Sequence, residues 1–571
     1  MKFNPVVRIR LISFFIVALV VLFVVRLFYI QIVRGEYYSD KADQQYMHPV
    51  ANIFDRGAIY FTTKNGDLIS AATLKRGYKI ALNPMLLASS TKEDVFTKLF
   101  PLLLSLPRDD FMAKADKKND PYEELVTRVD ESTAKKIIAL KIRGLVVSET
   151  KWRYYPAGPL AAHTIGLMAY KGNDYLGRYG IEKTYNDVLT RSGEHSFVNF
   201  FAEVFSGLGR GLAQNGERGE GDVVLTIEPT VQNYLEQVLA ATNNDWHPTM
   251  ISGLIIDPQT GEIKAMAALP NFNPNEKQSD LSVLPNPLVE HVYELGSIMK
   301  PLTMAAGLDT KAVMATTTYD DTGCLTLNKK TICNYDRKAR GVISMQEVLN
   351  QSLNLGATFI EQQIGKDKFR QYFLNYGLGT KTDIDLPGEV SGLVQNLSSK
   401  EDVNFATAAF GQGIAVTPIA MVRALSALGN GGYLIKPHLV KSIQYETTLT
   451  ENIKLPTTEQ VIKPATSREI TRMLVEVVDK KLANGKVKMP HTSIAAKTGT
   501  AQLVNVATKG YYDDRYLHSF FGYFPASNPR FLVFLMMVYP KNVNYASETL
   551  AMPFSDLTKF LINYYEIPPD R

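Results

Sequence analysis

The strongest constraint on what this chain can fold into is an apolar segment close to its N-terminus. The segment runs from Leu11 to Val25 with one serine as its polar member, and it continues from Leu27 to Val33 past Arg26. In hydrocarbon every backbone polar group must be paired internally, and a helix of about 20 residues does so while crossing about 30 Å. We therefore expect residues 11–33 to form a single N-terminal transmembrane helix. A cleaved signal peptide is the alternative, but the run ends in large residues around Arg26 rather than in small ones.

The orientation of this expected anchor follows from the charges beside it. Lys2, Arg8 and Arg10 precede the apolar run, and basic residues tend to stay on the cytoplasmic side. Residues 1–10 are then a cytoplasmic tail, and the bulk of the chain lies outside the inner (plasma) membrane.

Length and composition bound the remaining possibilities. A chain of 571 residues is too long for one core, and 45% hydrophobic with 21% charged residues is typical of globular domains. The net charge of +5 without a long basic run argues against a nucleic-acid partner. The eight histidines form no ligand-spaced cluster, so we expect neither a metal nor another cofactor.

A glycine- and charge-rich stretch at 213–222 marks the expected domain boundary. It separates residues 34–221, a mixture of short strands and helices, from residues 222–571. The second part has strand-like runs at both of its ends and helical patterns between them, including a capping box at Ser344 and Glu347. This order predicts an α+β fold with one antiparallel sheet flanked by helices and an all-helical lobe.

The two cysteines are expected to form a disulfide. The stretch from Cys324 to Cys333 has the pattern of a hairpin that turns at Asn328-Lys329. In that register the two cysteines lie opposite each other, about 4.5 Å apart between Cα atoms, which a disulfide can bridge. A disulfide suits an oxidising exterior, and two unrelated thiols are the alternative.

The candidate nucleophile is a serine followed three residues later by a lysine, Ser297 and Lys300. Residues three apart share one face of a helical turn, so the lysine can hydrogen-bond the serine. If burial lowers its pKa, the amine can also take the serine's proton. The pattern by itself is common, and the ordinary alternative is a capping serine with a solvated lysine.

Two later stretches complete a known set of motifs. Ser352-Leu353-Asn354 follows the capped helix, and Lys497-Thr498-Gly499-Thr500 lies on a late strand-like run. The order Ser-x-x-Lys, Ser-x-Asn, Lys-Thr-Gly is that of serine penicillin-binding proteins and related lactamases. The agreement of order, separation and expected structural setting favours a catalytic role for the set.

On these residues the chain resembles a class B penicillin-binding protein, a membrane-anchored monofunctional transpeptidase. The resemblance covers nearly the whole chain and implies residues 34–221 as an elongated pedestal of the dimerisation type, with 222–571 as a penicillin-binding, serine-lactamase-like transpeptidase domain. Further stretches that look like family landmarks are Arg56-Gly57-Ala58-Ile59, Tyr155-Pro156-Ala157-Gly158, Gly180-Ile181-Glu182-Lys183, Pro270-Asn271-Phe272-Asn273-Pro274-Asn275 and Phe410 to Pro418.

The resemblance implies roles for the catalytic residues. Ser297 is the acylated nucleophile and Lys300 its base. Ser352 relays a proton toward the leaving amine, and Asn354 contacts both the substrate peptide and Lys300. Lys497 supplies positive charge near Ser352.

The resemblance also implies how substrate is bound. Thr498 and Thr500 offer hydroxyl donors to a substrate carboxylate, and Gly499 lets a peptide lie close against the strand. The backbone N–H groups of Ser297 and Thr500 form the oxyanion hole.

The implied reaction is the cross-linking of peptidoglycan stem peptides through an acyl-enzyme on Ser297. The implied partners are nascent or lipid-linked stem peptides, β-lactams, a membrane glycosyltransferase, and proteins of a division or elongation complex. Division is favoured over elongation. A D,D-carboxypeptidase or β-lactamase-like hydrolase and a non-catalytic scaffold that activates a glycosyltransferase remain the alternatives.

Three positions depart from the family pattern. Leu295 and Ile298 replace a proline and a threonine beside the nucleophile, and Phe61 replaces an aspartate after the Arg56-Gly57 strand. We expect altered loop rigidity at the nucleophile rather than inactivity. Pro301 disfavours helical geometry at Lys300, which predicts a distorted first turn.

Overall fold

A computed structural model of the chain describes residues 5–29, 55–87, 91–117, 119–172, 174–191, 219–445, 450–454, 458–508 and 510–571. Its contacts divide the chain into a smaller compact unit, Met1–Asp55, Lys75–Trp152 and Ser192–Ser206, and a larger one, Arg56–Leu74, Arg153–Arg191 and Gly207–Arg571. Residues 30–33 of the expected anchor and most of the expected boundary at 213–222 lie outside the described residues.

The N-terminal helix belongs to the smaller unit and spans Pro5–Phe28 (α1). Its described large apolar side chains are exposed, with Phe14 at 72% and Leu22 at 65% of full accessibility. A search of the described residues finds no helix that is both long and apolar enough to cross a membrane.

The smaller unit also holds a mixed α/β core. Its further helices are Lys92–Leu99 (α2), Arg108–Ala115 (α3) and Glu131–Ala139 (α4), its strand is Glu123–Val129 (β3), and parts of Leu68–Leu82 (β2) and Leu145–Tyr154 (β4) belong to it. Asp130 caps α4 by accepting from the Thr133 N–H. Ile80, Leu99 and Phe111 are buried in its apolar core.

The larger unit contains the remaining elements. Its first strands are Ile59–Thr62 (β1), Met168–Lys171 (β5), Asp174–Gly177 (β6), Gly221–Leu225 (β7), Met250–Ile256 (β8), Ile263–Leu269 (β9), Thr318–Asp321 (β10), Cys324–Leu327 (β11), Lys330–Cys333 (β12) and Gly341–Ser344 (β13). They are followed by Tyr433–Leu434 (β14), Val440–Tyr445 (β15), Thr450–Asn452 (β16), Glu459–Gln460 (β17), Ala495–Asn505 (β18), Gly510–Phe524 (β19) and Phe531–Val538 (β20).

The helices of the larger unit lie before, between and after these strands. They are Ala162–Ile165 (α5), Gly180–Thr184 (α6), Asn186–Leu189 (α7), Pro229–Trp246 (α8), Lys300–Asp309 (α9), Met345–Asn350 (α10), Asn354–Ile364 (α11), Lys366–Asn375 (α12), Asp402–Ala408 (α13), Pro418–Gly429 (α14), Pro464–Lys480 (α15), Ala546–Thr549 (α16) and Ala551–Tyr564 (α17).

Five antiparallel strands form the sheet at the centre of the larger unit, in the order β18-β19-β20-β8-β9. Strands from the two ends of this region therefore meet in one sheet, which confirms the predicted α+β arrangement. The strands are buried along most of their length, because helices pack against them. Leu235 and Leu239 of α8 lie against Gly253, and Phe554 of α17 lies against Gly522.

A second group of strands in the larger unit runs in the order β16-β15-β7-β1-β2, with β1 and β7 parallel and the other pairs antiparallel. Phe61 on β1 is 1% exposed and belongs to the main apolar core. The position that the family resemblance assigns to an aspartate is therefore filled by a buried ring. The turn that follows is closed by Thr63 Oγ1, which accepts from the Asp67 N–H at 3.0 Å.

Landmark stretches that are far apart in the sequence converge on the buried carboxylate of Glu182. Arg56 Nε donates to its Oε2 at 2.7 Å and Arg153 Nε donates to its Oε1 at 2.6 Å. The Tyr155 hydroxyl donates to Oε1 at 3.2 Å, and Asn275 binds both the N–H and the carbonyl of Tyr155. These stretches thus form one ion-paired cluster within the larger unit.

The charge of Glu182 is stabilised by this cluster. Burial alone would raise the pKa of Glu182, but the charges of Arg153 and Arg56 and the hydrogen bonds they donate hold that pKa below its usual range. Two guanidinium groups thus share one buried carboxylate.

Candidate active site

The candidate nucleophile lies on a tight turn at the start of a buried helix. Gly296–Met299 form a 3₁₀ turn, and α9 begins at Lys300. Side chains three residues apart eclipse one another in such a turn, so Ser297 and Lys300 share a face, as the spacing predicts. Lys300 has helical dihedrals, φ −56° and ψ −37°, although it precedes a proline. Pro301 itself lies in the first turn of the helix, where a missing N–H costs little. The distortion therefore precedes Lys300 instead of falling on it.

The amine of Lys300 is buried and bound by the Ser352-Leu353-Asn354 stretch. Lys300 is 1% exposed, and its Nζ lies 2.5 Å from the Ser352 carbonyl oxygen, 2.8 Å from Asn354 Oδ1 and 3.3 Å from Ser352 Oγ. The expected hydrogen bond between Lys300 and Ser297 is not among the bonds of the described residues, where Lys300 Nζ binds Ser352 and Asn354 instead. The two strong acceptors on α10–α11 have drawn the amine toward themselves.

The second lysine of the site reaches the same serine. Lys497 is 2% exposed, and its Nζ donates to Ser352 Oγ at 2.9 Å and to the Thr498 carbonyl at 3.0 Å. The Ser352 hydroxyl therefore lies between two amines. The structure brings Lys300, Ser352, Asn354 and Lys497 together, as the motif order predicts.

Burial changes the protonation of both amines. Burial, followed by the charge of Lys497, lowers the pKa of Lys300 well below its usual range. Burial lowers the pKa of Lys497 to about 7. A neutral amine has two hydrogens and one lone pair, and the two short contacts of Lys300 use both hydrogens. Its lone pair is then available as a base at pH values where an ordinary lysine is protonated.

The backbone of Ser352 is held in an uncommon conformation. Its φ is +56°, which L-residues other than glycine and asparagine seldom adopt and which costs about 1–3 kcal/mol. Ser352 lies in the short link between α10 and α11, so both its carbonyl and its hydroxyl reach Lys300. The sequence predicts that the helix ends shortly after its capped start. Ser352, the residue with the strained backbone, lies at that break.

The start of α10 forms only part of the capping box that the sequence predicts. The Ser344 side chain accepts from the Glu347 N–H at 3.5 Å, which is one half of the predicted capping box. Glu347 does not reach back to Ser344, because its carboxylate accepts from Asn350 and Gln351 instead.

Asn354 is positioned by the disulfide hairpin. Cys324 and Cys333 are opposed in the β11–β12 register and joined by a disulfide, with their Cα atoms 4.1 Å apart. The Cys333 carbonyl accepts from Asn354 Nδ2 at 2.9 Å. The amide oxygen of Asn354 is thereby directed to Lys300, which connects the hairpin to the site.

A buried amide completes this support. Asn334 Oδ1 accepts from the Asn354 N–H at 2.9 Å and the Leu355 N–H at 3.2 Å, at the start of α11. Asn334 Nδ2 donates to both oxygens of Asp321 at 2.9 Å. Asn334 has no motif signal in the sequence, because its role depends on the packing of α11 against the hairpin.

The Lys-Thr-Gly strand packs directly on the nucleophile turn. A methyl group built on Gly499 would lie 2.4 Å from Ser519 Oγ and 2.6 Å from the Leu295 carbonyl oxygen. The Ser519 hydroxyl donates to that carbonyl at 2.9 Å, which joins β19 to the turn. The sequence explains Gly499 by the approach of a peptide, whereas the structure shows a requirement within the protein itself.

The two threonines of the strand lie on its partly exposed side. The Thr500 hydroxyl oxygen accepts from the Ala546 N–H at 3.2 Å. Because that contact uses a lone pair, the Thr500 hydroxyl hydrogen is free to be donated to a ligand. Thr498 lies two residues earlier on the same face.

Two further glycines allow the turn to fit against its neighbours. Gly296 has φ +63° and a methyl group on it would lie 2.9 Å from the Thr500 carbonyl oxygen. A methyl group on Gly411 would lie 2.2 Å from the Gly296 carbonyl oxygen. The Phe410 to Pro418 landmark stretch therefore packs against the nucleophile turn.

Replacing Gly499 by alanine is expected to displace this turn. The Leu295 carbonyl belongs to the backbone and cannot move away alone, so we expect about 1–3 kcal/mol lower stability and at least about tenfold slower acylation of Ser297. Thermal unfolding and the rate of labelling by a fluorescent penicillin measure the two effects. Gly510→Ala is the control, because its methyl group would lie 3.6 Å from the nearest atom. Equal behaviour of the two variants would contradict the packing argument.

The described residues contain no group of three or more His, Cys, Asp or Glu side chains placed to hold a metal ion.

Comparisons with known proteins agree with this fold. A family model described as the penicillin binding protein transpeptidase domain matches residues 251–558, and one described as the penicillin-binding protein dimerisation domain matches residues 54–202. The chain therefore belongs to the penicillin-binding proteins, and this pair of domains makes it a class B D,D-transpeptidase.

Individual relatives span most of the chain. Stage V sporulation protein D of Bacillus subtilis is 30% identical, over 96% of this chain and 84% of its own length. Peptidoglycan D,D-transpeptidase FtsI of Buchnera aphidicola subsp. Baizongia pistaciae is 25% identical, over 99% of this chain and 96% of its own length.

Solved structures share the fold. Penicillin binding protein 3 of Mycobacterium tuberculosis, complexed with aztreonam, matches with a TM-score of 0.68 at 22% identity and covers 91% of this chain and 98% of its own. Penicillin binding protein 2X of Streptococcus thermophilus matches with a TM-score of 0.71 at 21% identity and covers 90% of this chain and 79% of its own.

Proposed function

We propose that the chain cross-links peptidoglycan stem peptides through an acyl-enzyme on Ser297. The observation that carries the proposal is the buried amine of Lys300, one turn after Ser297, with a depressed pKa and with both of its hydrogens bound by Ser352 and Asn354. A lysine in this state is a base beside that serine.

The first half-reaction forms the acyl-enzyme. Ser297 Oγ attacks the carbonyl carbon of the penultimate D-alanine, and its proton passes to Lys300 Nζ. The oxyanion that develops accepts from the backbone N–H groups of Ser297 and Thr500. The C–N bond to the terminal D-alanine then breaks, and the Ser352 hydroxyl supplies the proton that the leaving amine takes up.

The proton balance uses the short path between the two amines and Ser352. Lys300 Nζ lies 3.3 Å from Ser352 Oγ, so the proton taken from Ser297 replaces the one that Ser352 gives up. Lys497 lies 2.9 Å from the same oxygen and stabilises its transient negative charge. Lys497, Thr498 and Thr500 bind the carboxylate of the terminal D-alanine.

The second half-reaction reverses these roles. An amine of a neighbouring stem peptide attacks the ester on Ser297, its proton leaves through Ser352, and Lys300 returns a proton to Ser297 Oγ. The products are a cross-linked peptide and free enzyme. Penicillins acylate the same serine because their strained amide stands in for the terminal D-alanyl-D-alanine bond.

The same proposal includes where the enzyme works. Residues 1–10 are a cytoplasmic tail, residues 11–33 an anchor in the inner (plasma) membrane, residues 34–221 the pedestal and residues 222–571 the catalytic domain. The support is the apolar sequence of residues 11–33 and the exposed apolar side chains of α1. The partners would be a membrane glycosyltransferase and a division complex, with an elongation complex as the alternative.

Labelling with a fluorescent penicillin tests the nucleophile. We expect one label per chain, located on Ser297 by mass spectrometry, no label on Ser297→Ala, and slowed labelling of Ser352→Ala. Ser391→Ala, which changes an exposed serine, is the control and should label like the wild type. A folded wild-type protein without label on Ser297 would contradict the assignment of Ser297 as the nucleophile. If Ser352→Ala lost labelling as completely as Ser297→Ala, the proposed roles of the two serines would be wrong.

Product analysis separates the transpeptidase from a hydrolase. With a D-alanyl-D-alanine peptide and an acceptor amine we expect a cross-linked product in addition to free D-alanine. Release of D-alanine with only the hydrolysed peptide would favour the carboxypeptidase alternative.

A further inference from the structure

A cavity of about 370 Å³ lies beside the nucleophile turn and has no part in the mechanism above. It is lined by residues just before the turn, by the strand that carries the Lys-Thr-Gly motif, and by residues 393–396 and the Phe410 to Pro418 stretch. Those that matter here are Glu294, Leu393, Asn396, Gln502 and Val504.

The cavity continues the same face of the strand that holds the candidate substrate-binding threonines. Side chains alternate along a strand, and Thr498, Thr500 and Gln502 occupy alternate, partly exposed positions of β18, before its pairing with β19 shifts register beyond Gln502. Gln502 lies two residues beyond Thr500, which is about 7 Å along the strand. A ligand extended along β18 from Ser297 would therefore reach the cavity within one or two residues.

Glu294 contributes to this cavity a carboxyl group that has no cationic partner among the described residues. It precedes Ser297 by three residues, and it is the sole charged side chain among the described residues that line the cavity. Its carboxylate accepts from the Tyr511 hydroxyl at 2.9 Å and from the Gly413 N–H. Both donors are neutral. Burial raises the pKa of Glu294, as expected for a carboxylate that lacks a cation.

The neighbouring amides add acceptors. Gln502 Nε2 donates to the Tyr512 carbonyl at 3.2 Å and Asn396 Nδ2 donates to the Gly413 carbonyl. Each bond uses one hydrogen of the amide nitrogen, and both amide oxygens can accept from a ligand. Leu393 and Val504 supply apolar surface for methylene groups. The lining thus combines one carboxylate, two amide oxygens and an apolar wall, which fits a primary ammonium on an alkyl chain.

We propose that this cavity binds the side-chain ammonium of the acyl-donor stem peptide, with Glu294 as its counter-charge. The inference rests on the proposed function. Cross-linking requires a side-chain amine on the acceptor stem, and donor and acceptor stems are copies of one molecule, so the donor carries the same amine. The donor residue that precedes the penultimate D-alanine is the one that reaches the cavity when its D-alanyl carbonyl lies at Ser297.

Two peptidyl penicillins test the subsite in the full-length protein. In both, 6-aminopenicillanic acid stands for the D-alanyl-D-alanine end. Its amino group carries Nα-acetyl-L-lysine in one compound and Nα,Nε-diacetyl-L-lysine in the other. Competition with a fluorescent penicillin gives the acylation rate constant of each, and the readout is their ratio. We expect wild type to favour the free ammonium by about tenfold or more, which corresponds to about 1.4 kcal/mol.

Two variants and one control identify the residue responsible. Glu294→Gln should bring the ratio close to one, and Gln502→Lys, which adds a positive charge to the cavity, should bring it to one or below. Glu459→Gln removes an exposed carboxylate that does not line the cavity and should keep the wild-type ratio. Because either cavity variant alone reports on the ratio, a folding defect in one leaves the other as the test.

The outcomes separate the two proposals. Absence of penicillin label on wild-type Ser297 overturns the proposed function. Normal labelling with a wild-type ratio near one, or with a high ratio that survives in the cavity variants, overturns the ammonium subsite alone.

Discussion

Lys300→Met is expected to slow acylation of Ser297 by about 100- to 10,000-fold, the range typical for loss of a general base. Methionine has nearly the same length and suits a buried site, so the apolar packing around position 300 is largely retained. What is lost is the lone pair that accepts the Ser297 proton and the donors to the Ser352 carbonyl and Asn354 Oδ1. The rate of labelling by a fluorescent penicillin measures the effect.

The pH dependence provides a second check on Lys300. Because its pKa is lowered well below the usual value, the neutral base persists at pH values where an ordinary lysine is protonated. The wild-type rate should fall as the pH drops through that lowered pKa, and the residual rate of Lys300→Met should lose this dependence. Lys368→Met, which changes an exposed lysine, is the control. A Lys300→Met rate within tenfold of wild type would contradict the assignment of the base.

Glu182→Gln is expected to give the largest loss of stability, about 3–5 kcal/mol, because it removes the buried carboxylate that two guanidinium groups bind. Arg56 and Arg153 are both almost fully buried, and each donates to a different oxygen of Glu182. Glutamine has the same shape but offers one acceptor oxygen and no charge. Chemical unfolding of the purified protein measures the difference from wild type.

The sign of the pH effect distinguishes this ion cluster from a packing defect. The folded pKa of Glu182 lies below its unfolded value, so its contribution is present above the unfolded pKa and is lost as the pH falls through the folded one. The difference in the free energy of unfolding between wild type and Glu182→Gln should therefore become smaller at acidic pH. Glu401→Gln, at an exposed carboxylate, should cost no more than about 0.5 kcal/mol. A difference in unfolding free energy that does not change with pH would indicate that the variant loses packing rather than an ion pair.

The cluster also shows why the landmark stretches occur together. Arg56, Arg153 and Glu182 belong to segments that are far apart in the chain, and replacing any one of them removes a partner from this buried ion-paired cluster. The sequence identifies such stretches as features of a family. The contacts among these stretches give the physical reason why they occur together in one protein.

The local features of this protein were determined by the sequence itself. The Ser297 and Lys300 spacing places both side chains on one face, because three residues make about one helical or 3₁₀ turn. The Cys324 and Cys333 register follows from a two-residue turn, since strand alternation propagates it outward. The order of strands and helices determined the α+β class, because a sheet must bury its apolar faces under helices.

Only the tertiary structure decided which groups meet across long separations in the chain. The Lys300 amine binds Ser352 and Asn354 rather than Ser297. Ser519 and the Leu295 carbonyl pack against Gly499. Glu294 faces a cavity and has neutral hydrogen-bond partners. Residue spacing limits contacts within one turn or hairpin, whereas these contacts depend on how α11, β18 and β19 pack around the nucleophile turn. That packing depends on how closely side chains fit together in three dimensions. The local pattern of residue types along the chain does not determine this fit.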